Sequence, residues 1–298
     1  MGYDIIRKYV WVINTIITAK RITFDELNQK WVNSELSGGN DLPKRTFDNW
    51  CEKIAEIFNL DIENERKGEY YYYIPYFDEL KNGSIESWIY NTMSVGNMLI
   101  NSQRVKDRIQ LETVPSSQEF LQLIIEAMKE NRAINMTYHS YWHDKERTFD
   151  VQPYCVKLFR QRWYMIAQTY IHETPHIYAL DRILNLSITD KQFEMPKDWN
   201  AAEYYNDYFG VIIYEQSKKE VIKLQFTARQ AKYIRDLPLH ASQKELEDNV
   251  FEYRLCPGYE FIHEILRYGN QVKVLEPQSL RETVANEIRE MSEQYADK

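Results

Sequence analysis

Residues 160–169 read RQRWYMIAQT and place Arg160, Arg162, Trp163 and Tyr164 within five positions. A guanidinium offers a planar fork of donors to phosphate or carboxylate. A tyrosine or tryptophan ring offers a face on which a base stacks, worth about 1–3 kcal/mol. Strand alternation sends Trp163, Met165 and Ala167 to one face and Arg162, Tyr164 and Ile166 to the other. In YALDRI, at 178–183, it groups Tyr178, Leu180 and Arg182 against Ala179, Asp181 and Ile183. An aromatic ring therefore lies beside an arginine twice, the chemistry of a seat for something flat and negatively charged. Asp181 is expected to pair with Arg182 or to cap a turn.

Competing chemistries find little support. HETPH, at 172–176, spaces His172 and His176 like a helical metal motif, but Pro175 and the β-forming surroundings oppose a helix. G-x-G-x-x-G, P-loop, H-E-x-x-H, G-x-S-x-G and C-x-x-C patterns are absent. The carboxylates are dispersed rather than clustered for a divalent cation. The expectation is a binding protein and not an enzyme, with no cofactor.

The chain has 298 residues, enough for two or three domains. With 44% apolar and 28% charged residues it should fold throughout. A net charge of -8 excludes a uniformly basic nucleic-acid coat but allows local cationic clusters. Cys51, Cys155 and Cys256 fit neither a disulfide framework nor a zinc cluster and imply a reducing compartment. No apolar run is long enough to span a bilayer. Asp4, Lys20 and Arg21 oppose a signal peptide around VWVINTIITA, so a cytoplasmic protein without membrane contact is expected.

In the first 76 residues, helical spacing runs from Asp4 to Ala19, with a buried stripe through Tyr9, Val12, Ile13 and Ile16. Thr23 and Glu26 form a capping box for a second helix, and Pro43 opens a third. Two β-prone runs flank Asn64–Gly68, which predicts a hairpin. Three helices and a hairpin predict a winged helix-turn-helix for 1–76. Its third helix carries Lys44, Arg45, Thr46, Asn49 and Lys53 outward, and the hairpin tip carries Arg66 and Lys67. Arginine reads guanine, asparagine reads adenine and lysine holds phosphate, so these seven residues are the candidate contacts to double-stranded DNA. Against this, the segment holds ten basic and twelve acidic residues, and Asp48, Glu52 and Glu56 share the third helix.

Residues 77–131 read as a helical connector with a short strand between its helices. From 132 to 200 the period falls to two, and short strands without intervening helices predict a small, strongly bent antiparallel barrel. In the remaining segment, 201–298, DYFGVIIYE reads as a strand-rich connector. The order βαββαβ plus a helix then predicts a split, ferredoxin-like α+β unit. The overall expectation is an α+β multidomain chain.

The run RQRWYMIAQTYIHETPHIYALDRI resembles the signature of WYL-domain transcriptional regulators: a basic residue, Trp-Tyr-Leu, a loop, then an aromatic before Leu-Asp-Arg-Ile. YHSYW and ERTFDVQPYCVK resemble the family's opening strands, and LRYGNQVKVLEPQSLRETVANEIREMSEQY resembles the extension that often follows. The resemblance implies an Sm/SH3-like barrel that senses a nucleotide or single-stranded nucleic-acid effector, in a homodimer that the extension helps to form. Carried over by position, the family's tyrosine falls on Tyr138, its second-strand basic residue on Arg147, Trp-Tyr-Leu on Trp163, Tyr164 and Met165, and Asp-Arg-Ile on Asp181, Arg182 and Ile183. The expected effector contacts are Tyr138, His139, Arg147, Arg162, Trp163, Tyr164, His176 and Arg182. Alternation turns Trp163 toward the core as well, and the two histidines also suit ordinary polar positions. His176 and Ala179 stand where relatives often carry arginine, which points to a smaller or less charged ligand. The alternative is a ligand- or RNA-binding accessory module, for example in phage defence, without operator binding.

Overall fold

The structure is a computed structural model that describes residues 3–65, 70–75, 85–101, 108–110, 118–141, 145–172, 174–213 and 217–296. The chain divides into two compact units, Met1–Glu112 and Thr113–Lys298.

The first unit begins with α1 (Tyr3–Ala19), β1 (Ile22–Thr23) and α2 (Phe24–Val32). α3 (Lys44–Phe58), β2 (Glu63–Glu65), β3 (Tyr71–Tyr73) and α4 (Ile85–Asn101) follow. The expected capping box is present: Thr23 Oγ1 accepts from the Glu26 amide at 3.2 Å, and Glu26 accepts from the Thr23 amide at 2.9 Å. The three strands form one antiparallel sheet in the order β1-β3-β2. Aromatic rings and aliphatic side chains share the core. Trp31 meets Trp11 and Trp50 edge-on at 5.1 and 5.4 Å, and Phe47 meets Tyr72 at 5.0 Å. α4 packs on α1, where Asn14 receives the Tyr90 hydroxyl and donates to Ser94. The hairpin tip with Arg66 and Lys67 lies outside the described residues, as does most of the strand expected between the connector helices.

The second unit opens with α5 (Gln118–Lys129), which the sequence pattern assigned to the connector. It instead covers the five-stranded sheet of β4 (Arg132–Tyr138), β5 (Arg147–Phe159), β6 (Arg162–Thr169), β7 (His176–Ala179) and β8 (Ile183–Gln192). Ile124 and Ala127 of α5 share a buried core with Ile134, Met136, Val151, Met165, Ala167 and Leu180. Every ladder is antiparallel, as expected. The barrel, however, is not closed: the order is β7-β6-β5-β4-β8, and no ladder joins the two edge strands among the described residues. The reason lies between them. Leu180–Arg182 forms a single 3-10 turn where alternation predicted strand, so the chain crosses from one edge to the other instead of pairing there.

After α6 (Ala201–Tyr205), the segment expected to be rich in strand shows one isolated bridge, Tyr208 to Cys256, among its described residues. β9 (Glu220–Phe226), α7 (Ala228–Asp236), β10 (Lys244–Glu245), β11 (Val250–Leu255), α8 (Tyr259–Arg267), β12 (Val272–Glu276) and α9 (Gln278–Gln294) complete the chain. The sheet order β10-β11-β9-β12, antiparallel throughout, is the one a split βαββαβ unit produces. Its core packs Phe251, Tyr253 and Leu255 against Ile234 and Phe261.

Replacing Thr23 with alanine removes the α2 cap and should lower stability by about 1 kcal/mol. The check is the urea midpoint of the intact chain, followed by the tryptophan fluorescence of the α1–α3 core.

Candidate functional site

A two-residue turn at Arg160 and Gln161, with φ of 48° and 64°, joins β5 to β6 and sets their register. Lys157 stands opposite Tyr164, and Phe159 opposite Arg162. These four side chains share the sheet face that looks away from the α5 core, since Met165 and Ala167 fill that core. β7 places Ala179 beside Tyr164, and the 3-10 turn follows at once.

The turn sets the charges. Asp181 pairs with Arg162, not with its neighbour Arg182. The contact runs through Arg162 Nη2 and Asp181 Oδ2; Arg162 Nε, Asp181 Oδ1 and Arg182 Nε are buried without a hydrogen-bond partner. Arg182 lies under the ring of Tyr141, its guanidinium carbon 3.8 Å from the ring centre. Tyr138, on β4, accepts the Ala179 amide at 3.2 Å and meets Tyr178 edge-on at 5.2 Å. Burial raises the Tyr138 phenol above its ordinary value, while the Ala179 amide and Arg182 pull it down. Burial also raises Tyr164, against the pull of Arg162. For Arg162 burial acts downward, but the Asp181 carboxylate outweighs it and the guanidinium is held above its ordinary value.

The same face continues to the C-terminal part of this unit. Lys157 sits over the Tyr205 ring, 3.6 Å from its centre, and donates to the Gly210 carbonyl. Burial pushes the Lys157 ammonium down to about 8, although Glu260 pulls it upward. Glu260, from α8, accepts the amides of Val211 and Ile212 at 2.7 and 2.8 Å. Gly210 is required for that approach: its φ is 92°, and a Cβ there would stand 2.1 Å from Glu260 Oε2. Arg160, at the hairpin tip, pairs with Glu264 of α8, a carboxylate only 4% exposed.

The expected effector residues separate into two groups. Tyr138, Arg162, Tyr164 and Arg182 converge. His139 joins them through its backbone, donating to the Arg182 carbonyl at 3.0 Å. Arg147 is exposed and lies opposite Tyr138 in the β4–β5 register. Trp163 points to the other face, packed against the α5 core. His176 pairs with Ala167 at the far end of β7, three residues or about 10 Å from Ala179, with its ring 4.4 Å from His172. Lys157, Tyr141, Asp181 and Glu260 were not among the candidates. Lys157 was legible in principle, because a two-residue turn at 160–161 dictates its pairing with Tyr164. Arg-Gln lacks the Asn-Gly or Asp-Gly chemistry that announces such a turn.

On the first unit, α3 presents Arg45 and Asn49 as exposed residues and Thr46 as half-buried. Lys44 is engaged by Asp48 and by the rings of Phe24, Phe47 and Tyr72, each 5.1–5.3 Å from its ammonium. Lys53 pairs with Glu56. Two of the three expected helix cations are therefore partnered within the unit. No group of three or more metal-ligating side chains occurs among the described residues, and no helix among them is long and apolar enough to cross a membrane.

Comparison with known proteins assigns two domains within the second unit. Residues 119–188 match the WYL domain and residues 218–292 match the WCX domain. No curated protein matches the chain. Among solved structures, proteasome accessory factor B/C (PafBC) of Arthrobacter aurescens is similar at 19% identity, over 72% of this chain and 33% of that one, with a TM-score of 0.26. The chain thus spans about a third of that protein's length. A CRISPR Cas-related protein is similar at 13% identity, over 85% of this chain and 74% of that one, with a TM-score of 0.42.

Lys157 supplies a pH test. Its folded value of about 8 lies below the ordinary 10.5, so between those values the unfolded chain binds more protons and stability rises with pH. Lys157→Met should flatten that rise relative to the native chain, measured as urea midpoints at pH 7.5 and pH 10.

Proposed function

We propose that the chain is a DNA-binding transcriptional regulator, acting as a homodimer in the cytoplasm, whose WYL domain senses a nucleotide or single-stranded nucleic-acid effector. It binds and does not catalyse. The observation that carries this reading is that Arg162 and Tyr164, on the outer face of the sheet that matches the WYL domain, lie close to Arg182 of the 3-10 turn, which the Tyr138 hydroxyl approaches from the core side. Forked donors beside ring faces suit a nucleotide-like ligand.

On this reading the first unit is a winged helix-turn-helix, in which α1–α3 pack with a small antiparallel sheet whose hairpin strands β2 and β3 follow α3. The N-terminal half of α3 enters the major groove with Arg45, Thr46 and Asn49 toward base edges. Lys53 reaches phosphate only by leaving Glu56, and Lys44 braces α3 against β3 more than it serves DNA. The WCX domain, tied to the WYL sheet through Arg160–Glu264, relays effector binding to the dimer.

The intrahelical pairs Lys44–Asp48 and Lys53–Glu56 favour a second reading, a ligand- or RNA-binding accessory module without an operator. Gel-shift titration on duplex DNA separates the two. A regulator retains duplex, loses affinity steeply as salt rises, and loses about 1–3 kcal/mol more on Arg45→Ala or Asn49→Ala. No retained duplex at low salt defeats the operator reading. In a reporter assay, Arg162→Ala and Arg182→Ala should abolish the effector response; an unchanged response defeats the sensing reading.

A further inference from the structure

The arginine–aspartate seat contains more unused polar atoms than its own pairing requires. Arg162 and Asp181 meet through Nη2 and Oδ2 alone, although the Nε–Nη2 edge of a guanidinium matches both oxygens of a carboxylate. One donor, Arg162 Nε, and one acceptor, Asp181 Oδ1, are left over, and Arg182 Nε adds a second donor. A buried polar atom without a partner costs about 1–3 kcal/mol. A ligand that relieves Arg162 Nε and Asp181 Oδ1 must bring an acceptor and a donor together.

Phosphate brings acceptors only. It would satisfy the arginines but set a negative oxygen against Asp181. Asp181 already neutralises Arg162, and Glu260 adds negative charge that Tyr164 registers. The ring of Tyr141 covers Arg182 at 3.8 Å while remaining 71% exposed. Tyr141 is held there by the cation–ring contact, which is worth about 0.5–1 kcal/mol at an exposed site, and by an edge-on approach to the His139 ring at 6.0 Å.

We propose that this seat takes a nucleobase by its hydrogen-bonding edge, not a phosphate, and that Tyr141 fills the base's stacking place on Arg182 until the base displaces it. The proposal rests on the effector reading above and narrows it. The base donates an N–H to Asp181 Oδ1 and accepts from Arg162 Nε through its ring nitrogen or carbonyl. Its ring then lies on the Arg182 guanidinium.

The test is calorimetric titration of the intact chain with the four ribonucleosides, their monophosphates, inorganic pyrophosphate and a short single-stranded DNA. At least one nucleoside should bind within about threefold of its monophosphate, without competition from pyrophosphate. Asp181→Asn should weaken that nucleoside about tenfold or more, because it replaces an acceptor by a donor. Under a phosphate reading the same variant removes a repulsive charge and tightens binding, so the two models differ in sign. Tyr141→Ala should tighten nucleoside binding several-fold; weakening overturns the displacement step. Binding of monophosphates or single-stranded DNA without nucleosides, or competition by pyrophosphate, overturns the base-edge inference and leaves the effector reading standing. No binding by any of these probes removes both. The wild-type competition needs no variant, so a misfolded Asp181→Asn chain does not leave the question open.

Discussion

The β5–β6 register governs the chemistry of the second unit. With Arg160 and Gln161 as the two-residue turn, Lys157, Phe159, Arg162 and Tyr164 fall on one face, and Met165 and Ala167 on the other. A slip of one residue would turn Arg162 and Tyr164 into the core beneath α5 and put Met165 in their place. The cations of this hairpin are each anchored to a different piece of chain. Arg162 goes to the 3-10 turn, Arg160 to α8, and Lys157 to the carbonyl of Gly210. Charge that the strand pattern places together is thereby shared out, which keeps like charges from repelling across a half-buried surface.

The elements with strong periodicity were legible. Apolar spacing located α1 and α3, Thr23 and Glu26 located the start of α2, and the alternation of strand and helix located the βαββαβ unit with its order. The open sheet was not legible, because barrel closure depends on whether two edge strands meet, and Leu180–Arg182 turns as a 3-10 segment despite its alternating residues. That turn also redirected Asp181. Strand geometry sets it opposite Arg182, whereas a turn of three residues swings it to Arg162. Half of the candidate seat, the arginines and tyrosines, was visible from residue type. Its acceptor and its covering ring were not, because they come from a turn and from the loop after β4.

The first unit shows the limit of counting cations. Lys44 and Arg45 are adjacent, chemically alike and both exposed, yet Lys44 is engaged by Phe24, Phe47, Tyr72 and Asp48 while Arg45 is turned to solvent. A flexible lysine stem lets its ammonium fold back over aromatic rings. Whether a charge is partnered is thus a property of the neighbouring elements, here α2 and β3, as well as of the helix that carries it.

Glu264 brings a mechanical consequence. This carboxylate is almost wholly shut off from water; Arg160 from the sheet and Arg267 from its own helix neutralise it, and the Tyr268 hydroxyl, just past the helix, donates to it. Prising the hairpin tip away from α8 would strip a desolvated anion of its principal counter-ion, which is far more expensive than bending an exposed loop. The Arg160–Glu264 pair thus gives the hairpin tip a fixed hold on α8, one that separation would break at the cost of leaving a desolvated carboxylate with less compensation.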